Sequence, residues 1–183
     1  MFHEMTIAGV KRQLPLCKVT DDLYIAAFIM FSDVEITKAA AAELLKKAPE
    51  FDIMITAESK GIPLTYEMAR QAGVNDYVVA RKGAKLYMTD IVSTQVDSIT
   101  TDHIQTLCIG GKEASQLCGK RVLIVDDVIS TGESLRSLET LVDQVGGIIV
   151  GRMAVLAEGE AADRDDIIYL EKLPVFNPDG SIK

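Results

Sequence analysis

The chain has 183 residues, with 19 Lys+Arg against 27 Asp+Glu for a formal net charge of −8, and 48% of it is hydrophobic. That is the composition of one ordinary soluble domain, long enough to bury a full core. The acidic balance argues against non-specific nucleic-acid binding, no apolar run approaches the roughly 18–20 residues of a membrane span, and the first residues lack the apolar stretch of a secretory signal.

Residues 1–35 read as irregular, with short apolar pieces lying among Pro15, Asp21, Asp22, Ser32 and Asp33. Residues 37–48 are strong helix formers, with Thr37 near the N-cap and Pro49 just past the end. Residues 51–57 (FDIMITA) form an apolar run of buried-strand length, and 63–72 read as a helix closed by Gly73. Residues 76–80 (DYVVA) predict a second strand, followed by the basic loop RKGAK. Residues 86–109 are rich in Thr, Ser and Val and predict a β-hairpin or a mobile arm. Residues 121–125 form the clearest strand, followed by a helix over 134–145 that ends at Gly146 and Gly147. Two further strands, 148–156 and 167–170, precede a polar tail, and the acidic stretch 158–166 reads as a solvated loop. Strand and helix alternate through the middle of the chain, so the expected fold is a single α/β domain with a parallel sheet covered on both faces. The odd cysteine count (Cys17, Cys108, Cys118) matches neither CxxC nor a zinc pattern and reads as reduced thiols of a cytoplasmic protein. Two histidines, His3 and His103, are too few for a His-rich metal site.

The most informative segment is 122–134, VLIVDDVISTGES. An apolar strand delivers Asp126 and Asp127 to its C-terminal end, where ligands bind in open α/β sheets. Ser130, Thr131, Gly132, Glu133 and Ser134 then open a helix, whose free N–H groups and dipole favour an anion. Carboxylates repel phosphate but accept hydrogen bonds from hydroxyls. A ligand that satisfies both halves carries a phosphate at one end and a diol nearby, as ribose 5-phosphate does. The plainer reading of Asp126 and Asp127 is a helix cap or turn. Glu113 follows Lys112, so Gly111–Lys112 is not a phosphate-binding GK[ST] loop. Two cationic segments also fall at strand ends. TAESKGI carries Lys60, and Arg81, Lys82 and Lys85 cluster in RKGAK; they suit a second phosphate group or, more plainly, are solvated surface charge.

Together these segments resemble the type I phosphoribosyltransferases, closest to the adenine branch. VLIVDDVISTGES matches the motif that binds 5-phosphoribosyl pyrophosphate (PRPP), TAESKG resembles the pyrophosphate loop, and ARKGAKLY resembles the opening of the mobile loop. Ile29-Met30-Phe31-Ser32-Asp33 resembles the base-binding hood, and the likeness covers roughly residues 25–157. The resemblance implies a central, mostly parallel sheet flanked by helices. It divides the chain into a hood over 1–36, a core over 37–157 and a C-terminal strand and tail over 158–183. It also implies a purine salvage enzyme, a pentosyltransferase in which a purine nitrogen, most simply that of adenine, attacks the anomeric carbon of PRPP and pyrophosphate leaves. The alternatives are a xanthine- or hypoxanthine-type transferase, or a PRPP-sensing regulator without turnover.

By the same likeness Asp126 and Asp127 face the ribose, and Ser130 to Ser134 hold the 5-phosphate. Glu58, Ser59, Lys60, Gly61, Arg81, Lys82 and Lys85 face the pyrophosphate, and Phe31 and Ile129 sandwich the base. Mg²⁺ would enter with PRPP, with Asp126 a candidate ligand. The expected assembly is a homodimer, and the expected partners are PRPP and a purine, with no nucleic acid and no membrane. A cis peptide is expected between Glu58 and Ser59. The chain departs from the branch at Lys60, where arginine is usual, and at Asp97, the nearest match to a loop glutamate. His103 reads as an exposed loop residue.

Overall fold

Nine-residue strand β8 (Arg121–Ile129) is the axis of the molecule, because it runs from the buried centre of a sheet out to the site. The computed structural model describes residues 1–96 and 105–183. The other strands of this sheet are β4 (Ile53–Ala57), β5 (Val78–Ala80), β9 (Ile148–Glu158) and β10 (Ile168–Leu173). Their order is β10-β9-β8-β4-β5, all parallel. Helices α1 (Val34–Lys47), α2 (Gly61–Ala72), α3 (Gly111–Leu117) and α4 (Glu133–Gln144) cover it. Alternate residues of each strand feed two cores. Met54, Leu123 and Val125 pack with α1 and α2, while Ile53, Ile55, Val122 and Ile124 pack with α3 and α4. That two-sided burial explains why these strands read as continuous apolar runs.

Residues 1–35 are not irregular. They form β1 (Phe2–Ile7), β2 (Val10–Thr20) and β3 (Leu23–Ala26), an antiparallel meander joined at its edge by β11 (Val175–Phe176). The first hairpin turns at Ala8 and Gly9. Pro15 misled the reading. It sits where one pairing ends and the next begins, its missing N–H is not needed there, and its carbonyl accepts from the Ala27 N–H at 2.9 Å. This sheet packs on the α1–α2 side through Ile7, Leu14, Phe28 and Phe176. The hood region of the sequence is thus a sheet, and its last strand comes from the other end of the chain.

Some element limits also differ. Helix α1 begins at Val34 because Asp33, not Thr37, caps it: the Asp33 carboxylate accepts from the Ile36 N–H at 3.2 Å. Arg12 of β2 holds the same carboxylate through two hydrogen bonds of 2.7 and 2.9 Å. That contact keeps the Asp33 carboxyl below the usual carboxylate range. Strand β10 continues to Leu173, three residues beyond the expected end, and α3 was not expected at all. The predicted hairpin over 86–109 is present as β6 (Val92–Val96) and β7 (Gln105–Ile109), paired antiparallel. Asp97 and His103 lie outside the described residues. Among the described residues no helix is long and apolar enough to cross a membrane.

Candidate active site

The strand order reverses between β4 and β8: β4 leads outward through α2 to β5, and β8 leads the other way through α4 to β9. Such a reversal leaves a crevice at the strand ends. Its depth is visible in the register. Strand β8 pairs with β4 only as far as Ile124, opposite Ile55, but with β9 as far as Ile129, opposite Ala157. Asp126 and Asp127 are therefore inside the strand, not beyond its end as expected, and they sit where one side has lost its partner.

The two carboxylates are held differently. Asp126 Oδ1 accepts from Ser59 Oγ at 3.2 Å and from the Asp127 N–H at 2.9 Å. Burial, reinforced by the charge of Asp127, pushes the Asp126 carboxyl up to about 7. Asp127 is buried, and its Oδ2 lies 2.9 Å from Lys60 Nζ. That contact is an ion pair without the alignment of a hydrogen bond, so Oδ2 keeps acceptor capacity. The Lys60 ammonium also donates to the Phe28 carbonyl at 2.9 Å. Lys60 thus reaches back to the carboxylate pair and the N-terminal sheet. The Asp126 shift has a measurable consequence. From the ordinary value of 3.8 up to about 7, the native state keeps a proton that the unfolded chain releases. Stability should therefore fall as pH rises through this window, by at most about 1.4 kcal/mol per pH unit from this group. Denaturant titrations at pH 5 and 7.5 should show the fall, and Asp126→Asn should flatten it.

Between β4 and α2 the chain turns tightly. Ser59 Oγ accepts from the Gly61 N–H at 3.2 Å. A Cβ on Gly61 would lie 2.6 Å from Thr56 Oγ1 and 3.0 Å from Asp126 Oδ1, so only glycine lets α2 start against the carboxylate. The expected cis peptide at Glu58–Ser59 is not found: there is no cis bond among the described residues, and the turn closes through Ser59 with trans peptides.

After β8, residues 130–135 wrap around a pocket of about 120 Å³ at the start of α4. Gly132, the N-cap of α4, adopts a left-handed φ of +80°, the kind of turn from which anion-binding nests of N–H groups are built. Ser130, Thr131, Glu133 and Ser134 line the same pocket. Arg164, which the sequence reading passed over inside the acidic stretch, lies beside Gly132. Its Nε and Nη2 donate to Asp166 at 2.8 and 2.7 Å, and its Nη1 would lie 2.9 Å from a Cβ on Gly132.

The basic loop meets an internal anion. Arg81 Nη2 lies 3.0 Å and Lys85 Nζ 3.8 Å from Glu58 Oε1, and the Lys82 N–H donates to Oε2 at 3.0 Å. The Lys82 N–H first, then the two cations, hold the Glu58 carboxyl below the usual range. The Lys82 side chain itself is exposed.

The expected base sandwich is not assembled. Ile129 is 4% exposed and packs in the core with Leu135 and Leu138, while Phe31 is 56% exposed. Strand alternation turns Val128, not Ile129, toward the N-terminal sheet side. A larger opening lies elsewhere. A cavity of about 750 Å³ adjoins the 120 Å³ pocket through Ser130 and Thr131 and is walled in part by Leu23, Leu173, Val175 and Glu158. Sequence reading missed these residues because they come from distant parts of the chain. The one available signal was the apolar piece 173–176.

The family model described as "Phosphoribosyl transferase domain" matches residues 32–176. The chain belongs to the phosphoribosyltransferase family. Over 150 residues it is 34% identical to the adenine phosphoribosyltransferase of Petrotoga mobilis, covering 78% of this chain and 69% of that protein. It is also 31% identical over 131 residues to the purine biosynthesis transcriptional repressor of Bacillus subtilis, covering 70% of this chain and 45% of the repressor. Among solved structures, the adenine phosphoribosyltransferase of Thermoanaerobacter pseudethanolicus superposes with a TM-score of 0.66 at 24% identity, covering 94% of this chain and 95% of that one. The likeness shows the fold, an α/β domain with a central parallel sheet flanked by helices, over nearly the whole length.

Proposed function

We propose that this phosphoribosyltransferase transfers the 5-phosphoribosyl group of PRPP to adenine, giving a nucleoside monophosphate and pyrophosphate. One juxtaposition carries the reading: the anion cradle at Ser130–Ser134, the carboxylates of Asp126 and Asp127, and a largely apolar cavity meet around a single strand end. The cradle would take the 5-phosphate on N–H groups and hydroxyls. The carboxylates would accept from the ribose hydroxyls and, as cationic character develops at the anomeric carbon, stabilise it electrostatically. Arg81 and Lys85 would receive the departing pyrophosphate. Most of the rate would come from holding base and sugar in line.

Among the described residues no three His, Cys, Asp or Glu side chains gather as a metal cage. The donors present, two carboxylates with Asp127 Oδ2 lacking a well-aligned partner, fit a Mg²⁺ ion bound mostly by substrate oxygens, with Asp126 or Asp127 as its protein contact. When bound, that ion supplies charge neutralisation on the leaving group. We further propose a cytoplasmic homodimer.

Pyrophosphate release from PRPP and Mg²⁺ should be measured with adenine, hypoxanthine, guanine, xanthine and no base in parallel. Release with adenine is expected. Release with a 6-oxopurine alone would place the protein in another branch. The likeness to the Bacillus repressor supports a second reading, a PRPP sensor, which predicts PRPP binding with no release for any base.

Glu58→Gln supplies a separate check. It removes the internal counter-charge from Arg81 and Lys85, so inhibition by added pyrophosphate should tighten by roughly fivefold, the scale of a partly exposed ion pair. Inhibition unchanged at low salt would mean that pyrophosphate binds elsewhere.

A further inference from the structure

Glu158 ends β9, the strand beside β8, and its side chain borders the 750 Å³ cavity. It is 9% exposed. Among the described residues its side chain has no hydrogen-bond or ion-pair partner, and its carboxylate oxygens are open to the cavity rather than sealed in protein. The two lysines on the cavity wall are engaged elsewhere. Lys172 Nζ lies 3.4 Å from Asp163 Oδ1, and Lys183 Nζ donates to the Asp22 carbonyl at 3.3 Å. Leu23, Ala162, Leu173, Pro174 and Val175 form the apolar part of the wall, while the other two acids on it, Glu160 and Asp163, are exposed. A mostly apolar pocket in which one buried, unpaired carboxylate stands among exposed polar side chains suits a flat ring with one polar edge. An acceptor-only group selects an edge that carries N–H donors.

We infer that Glu158 is the specificity-determining residue of the base pocket, accepting a hydrogen bond from the exocyclic 6-amino group of an aminopurine. This rests on the adenine reading above and deepens it. A 6-oxopurine presents lone pairs to the same carboxylate and is repelled, so rejection comes from the mismatch as much as from the lost bond. Neither Phe31 nor Ile129 can supply this discrimination, since neither side chain carries a polar atom.

The test uses the full chain and nucleotide products, so that it reads the pocket without turnover. AMP, IMP and GMP are titrated calorimetrically into the wild type, E158Q and E158K, with ribose 5-phosphate as a control for a folded cradle. The wild type should bind AMP roughly tenfold or more tighter than IMP. E158Q, whose amide can offer either a donor or an acceptor, should bring the two within about threefold. E158K should reverse the preference, and ribose 5-phosphate should bind all three proteins alike. An AMP-to-IMP ratio unchanged across the three proteins overturns the assignment. So does a wild type that prefers IMP, or one that prefers GMP, whose N1–H and 2-amino group also offer donors. Pyrophosphate release is assayed beside the titrations. Its absence with every base would overturn the transferase reading, while an AMP preference lost in E158Q would still uphold the role of Glu158.

Discussion

Asp126→Asn combined with Asp127→Asn should abolish phosphoribosyl transfer, lowering turnover by at least about 10³-fold. Each substitution keeps the size of the side chain and replaces one acceptor oxygen with a donor amide. The ribose hydroxyls then lose half their acceptors, and the developing cation loses its counter-charge. Lys60 loses as well, because its ammonium sits 2.9 Å from Asp127 and would be left beside a neutral amide. The fold should tolerate the change, since two adjacent buried acids repel each other and the amides do not. Steady-state pyrophosphate release gives the rate, and calorimetry gives PRPP affinity. PRPP affinity equal to that of the wild type would contradict the placement of the ribose on these two residues.

Gly61→Val should be nearly as damaging, by a different route. Even a single added carbon would lie 2.6 Å from Thr56 Oγ1, 3.0 Å from Asp126 Oδ1 and 3.3 Å from Asp126 Cα. Thr56 is fully buried and cannot retreat. The strain must therefore move either the first turn of α2 or Asp126 itself. Overpacking of this kind costs about 1–3 kcal/mol in stability. A carboxylate displaced by about an ångström forfeits roughly 10²-fold in rate. Thermal unfolding and turnover should both report the change, with turnover hit harder. A variant destabilised but fully active would show that Asp126 need not hold its position. Gly61→Ala should fall between the wild type and the valine variant.

The parts of this molecule that the sequence announced are those with short-range grammar. Strand β8, the acidic pair and the turn into α4 are contiguous, and an apolar run followed by small polar residues has few other meanings. The alternation of strand and helix from residue 51 onward was equally plain, because strands covered on both faces have no polar alternation to confuse them. The N-terminal sheet was hidden for the opposite reason. Its strands are half-exposed, carry charged residues such as Lys11, Arg12 and Lys18, and include Pro15, while β11, the strand that completes the sheet, lies more than 140 residues away. The 750 Å³ cavity was hidden in the same way. Leu23, Glu158 and Leu173 meet only because β9 and β10 return beside the N-terminal layer, and no spacing in the chain encodes that. Ile129 was placed one position from Val128, and in a strand a shift of one residue reverses which side a side chain faces. Arg164 was read as part of an acidic loop because its carboxylate neighbours, rather than its partner loop, are adjacent in sequence.

Lys60 spans two parts of the molecule that share no strand pairing. At one contact its ammonium meets the Phe28 carbonyl, which belongs to the chain leaving the N-terminal sheet; at the other it meets Asp127 on the central strand. One positive charge thus divides its attention. Any ligand hydroxyl that draws Asp127 away leaves that charge leaning more heavily on Phe28, and anything that shifts Phe28 returns it to Asp127. On the proposed placement of the ribose, occupancy at Asp127 and the posture of the N-terminal layer are therefore thermodynamically reciprocal. Two substrates bound on either side of Lys60 would sense each other across a single side chain, with no hinge or domain rotation required.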